Sequence, residues 1–429
     1  MKQLNIFELT RPKYIITKPI RLIELFAGIG SQAKALQNIG ANFEHYRVIE
    51  FDEYAIASYN AIHDTNFAPL DITKITAKDL GIVETDKYDY IMTYSFPCQD
   101  LSPAGKGAGM KKGSGTRSGL LWEVERLLKE CNELPQILLM ENVPQVIGKK
   151  NIQDFHKWQL FLEKLGYSSY FKLLNAKNYE IPQNRNRCFM VSILGDYYYE
   201  FPHKRKLKLK LKDMLEDEVD EKYYLSDKTI ACLTDMTDRN GFVRGEKFNP
   251  HTLESKYAYT ITTTAGSRAT DNFIILPENT KKGYAVAHIG DGVYINRPHQ
   301  KRGCVQKGKI QTIKTSPNDV GVVVEDTRNL SEENIEFPKI LDDRDKGWGI
   351  KISDVCPTQR ANRSGIKCIE KDLRIRKLTP KECWRLMGFD DEDFEKARKV
   401  NSDTQLYKQA GNSIVVKVLE RIFEEFILT

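Results

Sequence analysis

Three short stretches carry the residue types that do chemistry. SFPCQDLSPAGKGAGM, residues 95–110, sets Cys98 behind a proline in a segment too rich in glycine for ordinary core. A free thiol with a pKa of about 8.5 is mostly protonated at neutral pH, so a nucleophilic cysteine needs a cationic setting or a helix N-terminus. The residues that follow supply cations, Lys106, Lys111, Lys112 and Arg117, in a loop suited to closing over a phosphate backbone. QILLMENVP delivers Glu141 and Asn142 to the end of an apolar run. A carboxyl raised by burial there suits protonating or holding a ring nitrogen, with an ion pair or a helix cap as the plainer alternative. YEIPQNRNRCFMV carries Gln183, Arg185 and Arg187 on what reads as a β edge. Alternation sends both arginines to one face, where they suit a carbonyl oxygen, a carboxylate, phosphates or a surface salt bridge.

A fourth stretch binds rather than reacts. LFAGIGSQA places Gly28, Gly30 and Ala33 in the GxGxx(G/A) pattern, a tight turn that lets backbone approach a nucleotide at a helix N-terminus. Glu50 ends the next apolar run, 20 residues after Gly30, where a carboxylate accepts from ribose hydroxyls. A nicotinamide dehydrogenase would use the same pair. Asp71, in PLDITKI at the expected end of a third strand, suits either an adenine amino group or a helix N-cap.

These residues need elements to hold them. From residue 20 to about 200, short apolar runs alternate with helical patterns: IRLIELF, SQAKALQNIG, YRVIEF, DEYAIASYNAIH, YDYIMTYS, GLLWEVERLLKEC, QILLMENV and FHKWQLFLEKLG. Buried strands separated by helices predict βαβ units, and hence an α/β fold with a doubly wound, mostly parallel sheet. YDYIMTYS is then the fourth strand, and Cys98 lies at its carboxyl end, where open α/β sheets bind ligands. From about 200 to 370 strands shorten and turn residues multiply. Three segments there, 259–275, 310–324 and 356–369, share threonines, a polar turn and β-branched residues, as repeated hairpins would. Helical patterns return in LTPKECWRLMGF and SIVVKVLERIFEEFI, suggesting that the C-terminus rejoins the first domain.

With 429 residues the chain has room for two domains, since single cores rarely outgrow about 250–300 residues. No apolar run of about 18 residues appears, so no membrane span is expected, and the N-terminus lacks an export signal, giving a cytoplasmic expectation. The eight cysteines form no CxxC or cysteine–histidine cluster, so neither disulfides nor a metal are expected. The net charge of +6 is compatible with nucleic acid, but local clustering says more. HKRKLKLKLK alternates basic and apolar residues like a strand with one cationic face, fitting either phosphate contact or a solvated edge strand.

Together these motifs resemble the DNA (cytosine-5)-methyltransferase family. ELFAGIGS looks like its cofactor loop, with Phe26, Ala27, Gly28 and Gly30; Glu50 with Phe51, and Asp71 with Ile72, look like its ribose and adenine contacts. FPCQDLSPAGKG resembles the nucleophile motif, MENV the glutamate motif and QNRNR the arginine motif. TRSGLLWEVERLL resembles the helix after the catalytic loop; RKLTPKECWRLMGF and QAGNSIVV, with Asn412 and Ser413, resemble the closing motifs. Ser31 departs from the family's frequent second glycine there, and a small serine fits.

The resemblance implies a Rossmann-like catalytic domain over 20–195 after an extension at 1–19. It further implies an inserted, mainly β target-recognition domain over 196–373 and a return at 374–429. It implies S-adenosyl-L-methionine as cofactor, no metal, and double-stranded DNA as partner. Cys98 would attack C6 of a flipped-out cytosine, Glu141 would serve N3, and Arg187 would hold O2 with Arg185 in support. Gln99, Ser102, Lys106, Arg117 and Gln183 would contact DNA, and Arg268, Arg302, Gln306, Gln359, Arg360 and Arg363 are candidate base readers. The protein is expected to be a monomer, with a separate cognate restriction endonuclease as a further candidate partner. A silent DNA-binding module of the same fold, or an RNA methyltransferase, would share most of these motifs.

Overall fold

The computed structural model describes residues 11–98, 100–101, 109–225, 251, 255–263, 271–277 and 373–427. Between the last two stretches it describes the strand cores 292–294, 305–306, 320–322, 340–342, 351–353 and 366–368. The chain forms two compact units, one of residues 1–274 with 376–429 and one of residues 275–375.

The first unit is built on six strands: β1 (Ile20–Leu25), β2 (Phe43–Ile49), β3 (Asp89–Tyr94), β4 (Ile137–Asn142), β5 (Tyr167–Asn175) and β6 (Asn186–Leu194), in the order β2-β1-β3-β4-β6-β5. The pairs β1–β2, β1–β3 and β3–β4 are parallel, and β6 runs antiparallel to both β4 and β5. Every residue of β3 and β4 is buried, which is why these strands read as continuous apolar runs rather than alternating ones. Helices α1 (Ser31–Asn38), α2 (Glu53–His63), α3 (Ala77–Leu80), α4 (Leu121–Glu130) and α5 (Ile152–Lys164) connect the strands. Trp158 of α5 is fully buried, and its indole N–H donates to Tyr94 Oη at 3.0 Å. Large side chains buried in this way contribute about 1.5–3 kcal/mol each.

Four C-terminal helices complete this unit: α6 (Pro380–Arg385), α7 (Asp391–Arg398), α8 (Asp403–Asn412) and α9 (Val416–Ile427). Thr379, Pro380 and Glu382 make a capping box with proline at the first helical position, so α6 starts where local chemistry dictates. Glu382 also receives a fully buried two-pronged ion pair from Arg376, at 2.7 and 2.8 Å. The amphipathic α9 packs along α1, where Asn38 Nδ2 donates to Glu420 Oε1 at 2.7 Å.

Three details depart from the sequence reading. PLDITKI forms no strand: Leu70 N donates to Glu50 O at 2.8 Å, and Asp71 then turns the chain by accepting from Thr73 N and Oγ1. YDYIMTYS is therefore the third strand of the chain. The HKRKLKLKLK tract is irregular and pairs with no strand, its lysines lying in solvent. Lastly, the units divide at Ile274 and Arg376, so the described residues from 196 to 274 belong with the first unit; Arg185 and Gln183 bond the 258–261 segment directly to the arginine turn.

The described part of the second unit is entirely strand. Gly292–Tyr294 pairs antiparallel with Val320–Val322 and Val305–Gln306, and Ile340–Asp342 pairs antiparallel with Lys351–Ser353 and Ile366–Cys368. The turns of the three similar segments lie outside the described residues, apart from 259–263. No helix among the described residues is long and apolar enough to cross a membrane.

Candidate active site

Because β1 to β4 run parallel, their carboxyl ends finish at one sheet edge, and antiparallel β6 begins there. Pairing of Glu141 with Phe189 and of Asn142 with Cys188 puts Arg187 one step beyond the end of β4. From there its Nε reaches Glu141 Oε1 at 3.2 Å. Four residues past β3, Cys98 faces the same groups. Its backbone is fastened from two sides: Asn142 Nδ2 donates to Phe96 O at 2.9 Å, and Ser118 Oγ donates to Pro97 O at 2.7 Å. Leu101 N donates to Cys98 O at 3.0 Å.

Electrostatics set this thiol apart. Burial raises its pKa and the Glu141 charge adds to that, while the Arg187 and Arg185 guanidiniums oppose both. Cys131 and Cys188, pushed up to about 11 and about 12 by burial, have no cation opposing the rise. Burial likewise holds the Glu141 carboxyl above the usual carboxylate range, against Arg187 and Arg185. The edge thus combines a thiol next to cations with a carboxyl disposed to keep a proton.

Arg185 approaches the same carboxyl from deeper. It is 4% exposed, and its guanidinium donates to Ile261 O (3.0 Å), Gly411 O (2.9 Å) and Ser413 O (2.8 Å). Its Nε has no partner among the described residues, and burial lowers its pKa to about 9. Gln183, expected on DNA, has no exposed surface; its amide donates to Leu386 O at 2.7 Å and accepts from Ile261 N at 3.1 Å. In this structure it ties backbone segments together, because a fully buried amide must satisfy both its ends. A Cβ on Gly411 would meet Thr263 N at 2.5 Å and Thr262 C at 2.6 Å, so glycine is required where these segments cross.

Beside the thiol lies the glycine loop. Phe26 takes φ 58°, a left-handed conformation costing a bulky residue about 1–2 kcal/mol, and its N–H is held by Ile49 O at 2.8 Å. Gly28 and Gly30 have φ 57° and 79°. A Cβ on Gly30 would come within 2.3 Å of His63 Nε2, whereas one on Gly28 would project into open space. Ala27 is buried, and Glu50 accepts from Gly28 N at 3.0 Å and Asp52 N at 2.9 Å. Burial raises the Glu50 pKa against those two amides. Phe51 is 73% exposed, Ile72 is buried, and Asp71 Oδ1 takes both Thr73 donors, which lower the Asp71 pKa. Asn412 is exposed, while Ser413 is buried with its hydroxyl on Gln409 O.

Of the loop residues expected on DNA, Arg117 is exposed, and its backbone N–H donates to Asp100 Oδ2 at 2.8 Å. Gln99, Ser102 and Lys106 lie outside the described residues, as do Arg268, Arg302, Gln359, Arg360, Arg363 and the side chain of Gln306.

Sequence reasoning missed two anchors. Asp100 also accepts from Ser118 N at 3.3 Å, and Gly109 N bonds its carbonyl, closing the base of the loop. Glu24, buried inside β1, accepts from Ala33 N at 3.3 Å and Tyr59 Oη at 2.6 Å, beneath the glycine loop. A lone acid in the apolar run IRLIELF was its signal.

A mostly parallel sheet whose carboxyl edge sets a cation-flanked thiol and a buried carboxyl next to a glycine loop is a Rossmann-like α/β fold. Residues 20–428 match the family described as C-5 cytosine-specific DNA methylase, and the chain belongs to that family, the DNA cytosine-5-methyltransferases. It is 29% identical to Type II methyltransferase M2.ScrFI of Lactococcus lactis subsp. cremoris, over 95% of this chain and 98% of that one. It is 31% identical to Orphan methyltransferase M.SPRI of Bacillus phage SPR, over 96% and 98%. The Entamoeba histolytica methyltransferase EhMeth has the same fold, with a TM-score of 0.61 at 16% identity over 96% of this chain and 98% of its own.

Proposed function

We propose that this protein methylates C5 of a cytosine flipped out of a specific double-stranded DNA sequence, through a covalent bond between Cys98 and C6. The observation that carries the reading is the meeting of Cys98, Glu141 and Arg187 at one sheet edge, with Arg187 3.2 Å from the carboxyl. C5 of cytosine is a poor nucleophile. Attack of the Cys98 thiolate on C6 breaks the ring's aromaticity and moves electron density to C5. Glu141, whose burial favours the protonated form, donates to N3 as charge develops there, and Arg187 holds O2. Arg185 serves from behind by fixing the turn that carries Arg187.

S-adenosylmethionine, when bound, supplies the electrophilic methyl group that activated C5 accepts. The residues present fit it. Space is open above Gly28, and Phe51 offers an exposed ring to the adenine. Glu50 has lone pairs left for two ribose hydroxyls, and Asp71 Oδ2, which faces Lys74 Nζ at 3.8 Å, keeps a lone pair for the adenine amine. Transfer of the C5 proton to water, departure of the thiolate and return of the N3 proton to Glu141 then restore the neutral aromatic ring and free Cys98.

Flipping the base costs a few kcal/mol of stacking and pairing. Closure of the Gln99–Arg117 loop, whose base is pinned through Asp100 and Ser118, offsets that cost. The second unit, with neighbouring residues of 196–373, reads the flanking bases. Restriction-modification, or a phage's evasion of it, is the setting we infer, since the relatives include a type II enzyme and a phage orphan enzyme. Bisulfite sequencing of a cytosine-rich duplex library, after incubation with S-adenosylmethionine and either the protein or its Cys98→Ser variant, tests the reading. Protection in one short sequence context with the wild type, and none with the variant, is expected. Protection that survives in Cys98→Ser would remove Cys98 from the mechanism.

A further inference from the structure

The basic tract has no part in the chemistry above, yet the fold puts it beside the reacting edge. β5 is the outermost strand and runs parallel to β4, so its last residues reach the edge that holds Cys98. In its ladder Leu174 lies opposite Arg187 and Asn175 opposite Asn186. The tract is fastened alongside: Tyr179 Oη donates to Pro202 O at 3.1 Å, and Arg205 N donates to Asn178 O at 2.8 Å. Between the two lies a cavity of about 430 Å³, lined among others by Lys172, Leu174, Asn175, Pro202, His203 and Lys204.

Charge says what this surface suits. Lys172, Lys204, Lys206 and Lys208 are exposed, and none makes an ion pair among the described residues. Of the nearby acids, Glu180 pairs with Arg421 at 2.6 Å and Glu424 with Arg205 and Arg421, while the exposed Glu200 is a single charge against four lysines. Leu211, at the end of the tract, is buried and moors it. Four lysines without ion pairs repel one another, and a row of phosphates relieves that repulsion while releasing its own counterions.

We propose that the groove between the end of β5 and the Pro202–Lys210 tract is a second DNA contact, which takes the phosphate backbone of the duplex flanking the target cytosine. The proposal rests on the reading of the protein as a duplex methyltransferase. It makes the tract a positioning surface, with no part in the bond changes at the base. The plain alternative is that these lysines only keep the exposed edge strand β5 from pairing with other chains.

The test uses the full chain and a quadruple variant, Lys172→Gln, Lys204→Gln, Lys206→Gln and Lys208→Gln, with the four Lys→Arg replacements as a charge-retaining control. Binding of a fluorescent 40-base-pair duplex containing the methylated sequence is measured by anisotropy across a potassium chloride series. Methyl transfer is measured on that duplex and on a short one ending just beyond the target. Each lost phosphate contact lowers the slope of log K against log salt by about 0.9, so a fall of about 2 or more is expected in the glutamine variant. KM on the long duplex should rise at least about tenfold with kcat held, the short duplex should show no difference, and the arginine variant should behave as wild type. An unchanged slope and KM would overturn the proposal in favour of the edge-guard role. Equal losses on both duplexes would overturn it by placing the lysines at the target pocket. A wild type that methylates no duplex would instead sink the parent reading, and is recognised because it needs no variant to appear.

Discussion

Replacing Glu141 by glutamine separates the two things its carboxyl does. At the 3.2 Å of the Arg187 contact, full charges in a site of effective dielectric about 20 attract by roughly 5 kcal/mol before desolvation is counted. Glutamine keeps an oxygen for Arg187 Nε, so the net loss of stability is about 1–2 kcal/mol, the difference between a charge-assisted and a neutral hydrogen bond. Methyl transfer loses more, about 10²–10⁴-fold, because the amide has no acidic proton for N3. The thiol moves the other way. The Glu141 charge holds the Cys98 pKa up. Without that charge the guanidiniums act unopposed, and alkylation of Cys98 by iodoacetamide should reach its midpoint at a lower pH. Single-turnover transfer and the pH profile of alkylation, read on the same variant, give the two numbers. Transfer within threefold of wild type, or an alkylation midpoint displaced upward, would refute the reasoning.

Three further outcomes follow from named contacts. Gly411→Ala drives a Cβ against the Thr262–Thr263 backbone and should destabilise the fold by about 1–3 kcal/mol in urea unfolding, with a matching fall in activity through Arg185. Gly30→Ala meets both the wrong φ and His63 and should cost about 1–3 kcal/mol in urea unfolding, whereas Gly28→Ala, whose Cβ enters the space assigned to the cofactor, should lower S-adenosylhomocysteine affinity by calorimetry more than about tenfold. Glu24 is raised by burial to about 7, so its protonated form favours the fold. Its contribution is complete below the unfolded carboxyl value of about 4.3 and is lost as pH rises through about 7. Glu24→Gln should therefore gain stability relative to wild type between pH 5 and 8.5, by up to about 3 kcal/mol; a difference that shrinks over that range would contradict the assignment.

Strands β1 to β4 and helices α1, α2, α4 and α5 were legible because their signals are local, whereas β5, α7 and α8 were not read. Buried parallel strands read as apolar runs, Thr379-Pro380 with Glu382 marks a helix start within four residues, and Gly28 and Gly30 declare a left-handed turn. Cys98 and Glu141 stood out for the same reason, each following an apolar run directly. PLDITKI and the lysine tract failed the same logic. Their composition suits a strand, but a strand needs a partner, and Leu70 is tied to the chain of β2 by one bond while the tract has no neighbouring ladder.

By itself, then, the sequence determined the motifs and the parallel strands that carry them, since spacing and turn chemistry act over a few residues. Tertiary structure alone decided which polar side chains lose their water. Gln183 reads as a DNA contact and is consumed by Ile261 and Leu386; Arg185 reads as a catalytic cation and reaches carbonyls 226 and 228 residues away. It also decided that Glu24 is the carboxyl raised under the glycine loop, and that the lysine tract borders the reacting edge. Burial and field are sums over neighbours brought from far along the chain, and no local spacing encodes them.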